Sequence, residues 1–210
     1  MIRVLIADDH PIVRDGIKSI LSEAFDEVVA DEVSTSQGVL DRVWSRDYDV
    51  VLLDISMPGR SGMEVLKLLN RDKPELPVLV LSMHPEEQYA IRVLKAGAAG
   101  YLTKESASDE LITAIRKVIQ GRKYVNSSLA ETLALYIESN IKGYPHETLS
   151  DREYEVMCLI ASGKSIKEIA GELDLSSKTI STYRGRILEK MKMKTNSEIT
   201  YYAIQKGLVE

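Results

Sequence analysis

Over the first 121 residues, short aliphatic runs alternate with stretches in which apolar positions recur every three or four residues. The runs Val4-Leu5-Ile6-Ala7, Val50-Val51-Leu52-Leu53 and Val78-Leu79-Val80-Leu81 are continuous, as expected of strands buried on both faces. The pattern predicts strands over 2–8, 27–33, 49–54, 77–82 and 99–102, and helices over 11–24, 36–46, 62–71, 86–96 and 107–120. Five strands interleaved with five helices imply an α/β domain, a doubly wound parallel sheet covered on both faces.

Gly121 stops the last of these helices. A further helix is expected over 127–140, with Leu129, Leu133 and Ile137 on one side, bridging to a second domain. Residues 141–147 carry Gly and Pro without apolar periodicity, so the flexible boundary is placed there. From Leu149 the pattern is helical only. Ser150-Asp151-Arg152-Glu153 has the form of a capping box and opens a helix to about Ala161. Ser165 caps a short helix, Asp174-Leu175-Ser176 turns into a longer one ending near Lys192, and a last helix over 197–206 stops at Gly207. A helix, a tight turn and a second helix form the layout of a helix-turn-helix.

The strand ends carry the candidate chemistry. A carboxylate at the end of a buried strand is costly unless it is paired or bound, yet Asp54 ends one apolar run and Asp8-Asp9 another. Ligands of open parallel sheets bind beyond the carboxyl ends of the strands, so these acids could converge on a hard cation such as Mg²⁺. Two other strand ends deliver the hydroxyl of Ser82 and the ammonium of Lys104.

Asp8-Asp9, Asp54 with Met57-Pro58 and Gly62, Ser82, and Tyr101 three residues before Lys104 resemble the receiver domain of two-component response regulators. The resemblance covers residues 1–121 and implies a flavodoxin-like (βα)5 fold. It implies that Asp54 is the phosphoacceptor for a sensor histidine kinase, and that Asp8, Asp9, Asp54 and the backbone carbonyl of Ser56 hold Mg²⁺. Lys104 and Ser82 would meet the phosphoryl oxygens, and Tyr101 would follow Ser82 by changing rotamer. Without the resemblance, Lys104 reads as a strand-end ion pair and Tyr101 as a half-buried aromatic. His10, followed by Pro11 and lacking a spaced histidine partner, reads as a helix-entry residue, and His84 and His146 as solvated loop residues.

The later words, Leu149-Ser150-Asp151-Arg152-Glu153, Gly163 to Ala170, Leu175-Ser176, Lys178-Thr179-Ile180 and Lys190-Met191, resemble the LuxR-type DNA-binding domain. That resemblance covers about 147–208, so the DNA-binding domain is taken as 147–210 with 122–146 as a linker, and the whole chain is similar to response regulators of the NarL/FixJ class. Tyr183 stands where many members have His, and Asn196 where many have Arg, departures that bear on base preference.

Composition agrees with this division. The 210 residues are 44% hydrophobic, enough for conventional cores, and the lone Cys158 lies among apolar neighbours as an inert core position. The net charge of −5 is uneven: residues 148–210 hold ten basic and nine acidic side chains, against 17 and 23 before them. Between Lys178 and Lys194 six cations face one acid, Glu189. Met1-Ile2-Arg3 leads straight into a strand that holds functional acids, and no apolar run reaches membrane length, so a cytoplasmic protein without a membrane partner is expected.

Ile180, Ile187 and Met191 recur at helical spacing and should face the core, with Tyr183 or Arg184 at its margin. The opposite face then holds Ser181, Thr182 and Gly185, positions that the LuxR-type resemblance implies are turned toward base edges. Lys167, Lys178, Thr179, Tyr183, Arg184, Arg186 and Lys190 complete the expected DNA surface, chiefly through phosphates. So small a base-reading set favours a homodimer on promoter DNA; Ile199, Tyr202 and Ala203 either supply part of its interface or only pack against the preceding helices. The alternatives are a phosphorylation-independent regulator with the receiver as dimerisation module, and an aspartate-dependent phosphohydrolase. The hydrolase needs a second acid two residues after the nucleophile, where Ser56 stands, so an enzyme is not expected.

Overall fold

The computed structural model describes residues 1–57, 61–83, 85–139 and 144–209. Pro58, His84 and the expected helix end at Asn140 lie outside the described residues. The chain divides into two compact units, Met1–Glu131 and Thr132–Glu210.

The first unit alternates β1 (Ile2–Ala7), α1 (Pro11–Ala24), β2 (Val28–Val33), α2 (Ser36–Ser45), β3 (Val50–Asp54), α3 (Gly62–Asp72), β4 (Val78–Ser82), α4 (Glu86–Lys95), β5 (Gly100–Thr103) and α5 (Ala107–Val118). Its five strands are all parallel in the order β2-β1-β3-β4-β5. The continuous apolar runs of β3 and β4 occupy the middle and are buried at every position. Ile6, Leu52 and Leu81 face Ile17 and Leu21 of α1 and Leu111 and Ile115 of α5 in one core. The chain order switches direction between β1 and β3, so right-handed crossovers put α2, α3 and α4 on the opposite face. The same switch opens the crevice beyond the carboxyl ends of the strands.

Each edge strand makes specific contacts. Beside β2, Asp31 accepts the Tyr48 hydroxyl at 2.6 Å, and Glu32 takes Arg14 and Lys18. Beside β5, the Tyr124 N–H donates to the Ala99 carbonyl at 2.8 Å, extending the sheet by one parallel bridge. A Cβ on Gly100 would come within 2.9 Å of Tyr124 Cβ, so glycine is what lets this segment close on the edge.

After α6 (Ser127–Ser139) come a 3-10 helix (Pro145–Thr148) and the four helices of the second unit: α7 (Asp151–Ala161), α8 (Ile166–Glu172), α9 (Ser177–Met191) and α10 (Asn196–Gln205). Capping boxes at Ser150/Glu153 and Ser165/Glu168 start α7 and α8. Asp174, in the left-handed region at φ 51°, turns the chain between α8 and α9, and Ser176 caps α9 by accepting the Thr179 N–H at 3.0 Å. Ile180, Ile187 and Met191 are buried as their spacing predicts, and Cys158 is buried with them.

The structure corrects one expectation, that of His146, and refines three others. Residues 145–147 of the expected flexible boundary belong to the 3-10 helix Pro145–Thr148, while 141–143 lie outside the described residues. His146 is not a solvated loop residue. Its Nδ1 lies 2.7 Å from the Tyr202 hydroxyl, and its ring stacks on Tyr144 and meets Tyr154. The α6 stripe is buried only at Leu129, with Ile137 73% exposed. Ile199 and Ala203 are buried in the unit's own core and Tyr202 is bonded to His146, so the outward apolar residues of α10 are Tyr201 and Ile204.

Glu153 joins two of these constraints, because its Oε2 accepts the Ser150 N–H at 2.8 Å and the Lys190 ammonium at 2.6 Å. Burial works to raise its carboxyl pKa, but Lys190 and the Ser150 donors outweigh it and hold the group below its ordinary 4.5. Its stabilising contribution is therefore complete above that value and disappears as pH falls through the depressed one. Glu153→Gln is expected to lower the stability of the second unit at neutral pH by about 1–2 kcal/mol. Thermal unfolding at a series of pH values checks this, since the gap to wild type should narrow below the ordinary glutamate range.

Candidate functional site

Five parallel strands bring the singled-out side chains of the first unit to one end of the sheet. Asp54, the last residue of β3, is 1% exposed, and its Oδ1 accepts the Ser56 N–H at 2.8 Å. Lys104, just past β5, places Nζ 2.6 Å from Asp54 Oδ2 and 2.6 Å from Asp8 Oδ2. Its backbone N–H donates to the Ser82 carbonyl at 2.8 Å, so the ends of β4 and β5 are tied where their functional side chains emerge. Ser82 and Tyr101 are fully buried, whereas Ser56 is exposed at the mouth.

The charges do not balance. Burial pushes the Asp54 carboxyl above its ordinary range, and Lys104 and the Ser56 N–H only partly offset this, while Asp8 adds to it. Lys104 is raised above the usual lysine value: desolvation opposes its charge, but the bonds to Asp54 and Asp8 prevail. Asp8 Oδ2 and Asp9 Oδ1 are buried without a well-directed hydrogen bond; each instead meets a basic nitrogen, Lys104 Nζ at 2.6 Å and His10 Nδ1 at 2.8 Å.

Asp8, Asp9, His10 and Asp54 each offer a ligand atom, all within 4.8 Å of one another. Three carboxylates, of which Asp8 and Asp9 have an under-satisfied oxygen, suit a hard divalent cation. His10 caps the entry to α1 without a side-chain cap bond, and its N–H donates to Asp8 Oδ1 at 2.8 Å. Gly62 is required by close approach, because a Cβ there would lie 2.4 Å from Ile55 Cα, on the backbone that follows Asp54.

Arg14 was not expected in this site. One turn after His10, it donates from Nη1 to the Asp8 carbonyl at 2.7 Å and from Nε to Glu32 Oε2 at 2.9 Å, fixing the end of β1. Its place on the first turn of the helix after the acidic pair was the available signal.

In the second unit, Lys178, Ser181, Thr182, Gly185 and Arg186 share the exposed face of α9, with Lys167 exposed on α8 and Thr179, Tyr183 and Arg184 half-buried. Ser181 donates its hydroxyl to the Ser177 carbonyl at 2.8 Å and Thr182 to the Lys178 carbonyl at 3.0 Å. Their lone pairs stay outward as acceptors, suited to the amino groups of adenine or cytosine in a major groove. Two expected phosphate contacts are already engaged within the unit: Arg184 Nε holds Asn196 Oδ1 at 2.6 Å and Lys190 is paired with Glu153. The Lys190 ammonium is thus a tie between α9 and α7, a contact that charge patterning along α9 does not reveal.

A family of response regulator receiver domains matches residues 4–116, and the family of bacterial regulatory proteins of the luxR type matches residues 147–203. The chain is 38% identical over 209 residues to the response regulator UvrY of Escherichia coli (strain K12), covering 99% of this chain and 96% of that one. Among solved structures it is similar to RcsB from Salmonella enterica serovar Typhimurium bound to promoter rprA in the presence of phosphomimetic BeF3⁻. The identity is 28% and the TM-score 0.65, over 96% of this chain and 97% of that one. A structure of two RcsB dimers bound to two parallel DNAs is 30% identical with a TM-score of 0.59, over 96% of each chain.

No atom lies within 4 Å of a Cβ built on Gly185, and its backbone is helical, so the fold does not require glycine there. Gly185→Ala is expected to stabilise α9 by about 0.5–1 kcal/mol. It is also expected to weaken DNA binding by crowding the surface that the sequence assigns to base edges. Thermal unfolding and duplex affinity, measured on the same preparation, should move in opposite directions.

Proposed function

The chain belongs to the response regulators that join a receiver domain to a LuxR-type DNA-binding domain, a family of transcription regulators; on that premise we propose that Asp54 is the phosphoacceptor that switches this one. The observation that carries the proposal is the placement of the Lys104 ammonium 2.6 Å from carboxylate oxygens of both Asp54 and Asp8 at the open end of the sheet. We take 1–121 as the receiver, 122–146 as the linker and 147–210 as the DNA-binding domain.

An Asp54 oxygen attacks the phosphorus of a phosphohistidine on a sensor histidine kinase. The phosphorus–oxygen bond forms, the phosphorus–nitrogen bond breaks, and the imidazole leaves to take up a proton. Attack by one anion on another needs positive charge around the transferring group. Lys104 supplies part of it, moving from the Asp54 carboxylate to a phosphoryl oxygen. Asp8, Asp9, Asp54 and the Ser56 carbonyl would hold Mg²⁺, which when bound neutralises charge on the phosphoryl oxygens. Ser82 turns its hydroxyl to the modified aspartate and Tyr101 follows, shifting the population between two receiver states. With Ser56 two residues after Asp54, no second acid stands where a hydrolase would activate water, so slow loss of the phosphoryl group rather than turnover is expected.

On the DNA side, Ser181, Thr182 and Gly185 face base edges, and Lys167, Lys178, Arg186 and the free nitrogens of Arg184 meet phosphates, with Thr179 and Tyr183 at the margin. A homodimer on two half-sites supplies the specificity that one small reading surface lacks. Among the described residues no helix is long and apolar enough to cross a membrane. Residence in the cytoplasm fits partners that are a kinase and promoter DNA.

Incubation with a small acyl phosphate and Mg²⁺ tests the acceptor directly by intact mass. Wild type is expected to gain one phosphoryl group, and Asp54→Ala, Asp9→Asn or wild type with chelator to gain none. An adduct that survives in Asp54→Ala, or that forms equally well in chelator, contradicts the assignment.

A further inference from the structure

A second cluster of buried polar groups lies just past Ser82 and plays no part in phosphoryl transfer. Glu86 opens α4 with its side chain only 6% exposed. Its Oε1 accepts from Asn126 Nδ2 at 2.7 Å, while Oε2 is buried with no hydrogen-bond partner among the described residues. The same Asn126 amide lies 3.3 Å from Glu110 Oε2, which also takes the Tyr124 hydroxyl at 2.7 Å. Asn126 Oδ1 accepts the Leu129 N–H at 2.8 Å, capping α6. One amide thus ties the start of α4 to the first turn of the helix that crosses from Met1–Glu131 into Thr132–Glu210.

The neighbouring contacts single out this bond. Lys123 Nζ donates to the Ala98 carbonyl at 2.6 Å and Tyr124 is bridged to Gly100, so the chain is fixed to β5 up to Tyr124. Beyond that point Asn126 reaches α4. A helix N-terminus favours a carboxylate, but that preference demands neither burial nor a partner on another helix. A buried carboxylate served by one neutral amide is under-satisfied, so its bond is cheap to lose once water can enter. Only three residues separate Ser82, at the end of β4, from Glu86, at the start of α4.

We propose that the Glu86–Asn126 hydrogen bond is a latch, which holds the first turn of α6 against α4 while Asp54 is unmodified and opens when Ser82 moves toward the phosphoryl group. The latch rests on the phosphoacceptor reading of Asp54 and names the route by which that site regulates the segment leading to the DNA-binding domain.

The test is a double-mutant cycle in the full chain. Asn126→Ser keeps a capping oxygen but is too short to reach Glu86, and Glu86→Ala removes the acceptor. Asn126→Asp, isosteric and an equally good cap, provides a second release if either of these fails to fold. Each protein is measured with and without the acyl phosphate and Mg²⁺, by intact mass and by affinity for a duplex selected from a random pool by phosphorylated wild type. Each single variant is expected to raise the affinity of the unmodified protein toward that of phosphorylated wild type, on the order of tenfold. The double variant gains no more than either single one, because both remove the same coupling. Amide exchange over 127–131 should quicken in all of them. Variants that lose thermal stability without moving the affinity ratio overturn the latch, as do gains that add in the double variant. If wild type takes up no phosphoryl group, the Asp54 assignment itself fails and the latch with it.

Discussion

Lys104 Nζ stands 2.6 Å from both Asp54 Oδ2 and Asp8 Oδ2, with only 8% of its side chain open to solvent. Two buried carboxylates share one ammonium, and Asp9 adds a third carboxylate at the rim, so the end of the sheet carries more negative charge than the protein itself neutralises. The geometry follows from the topology: parallel strands with right-handed crossovers deliver all their carboxyl ends to one side, and the switch between β1 and β3 leaves room there. The residual charge makes the site receptive to a divalent cation and leaves Lys104 free to exchange one anionic partner for another. The ties around it, Arg14 on the Asp8 carbonyl and the Lys104 N–H on Ser82, keep the strand ends in place while that exchange occurs.

The second unit depends on helix ends instead. Reciprocal caps at Ser150/Glu153 and Ser165/Glu168 and the left-handed Asp174 fix where each helix begins, and so which face of α9 is presented. Glu153 carries a cap and the Lys190 ion pair at once, binding α7 to α9. What remains outward on α9 is a short surface of hydroxyls, a glycine and cations, and on the reading proposed above it meets DNA more through phosphates than through extensive base readout.

Much of this was legible before any coordinates. Short, β-branched, continuous apolar runs bounded by turn residues fit strands buried on both faces, and a carboxylate closing such a run marks the site, so Asp8, Asp54, Ser82 and Lys104 could be placed at strand ends. Capping boxes are local and were equally plain. What sequence did not reveal depends on tertiary partners. His146 looks like a loop residue until Tyr202 and Tyr144 are brought to it. Lys190 looks like a DNA contact until Glu153 arrives from 37 residues away. Which apolar side of α10 turns inward, and that Asn126 reaches Glu86, follow from packing that spacing along one helix does not encode.

The most direct test of the account is the affinity of wild type and Asp54→Ala for a selected duplex, each with Mg²⁺ and with or without a small acyl phosphate. The account predicts tighter binding by treated wild type, by a factor of order ten, and no response from Asp54→Ala. An equal response from both proteins, or unchanged binding by a wild type shown to carry the phosphoryl group, would contradict it.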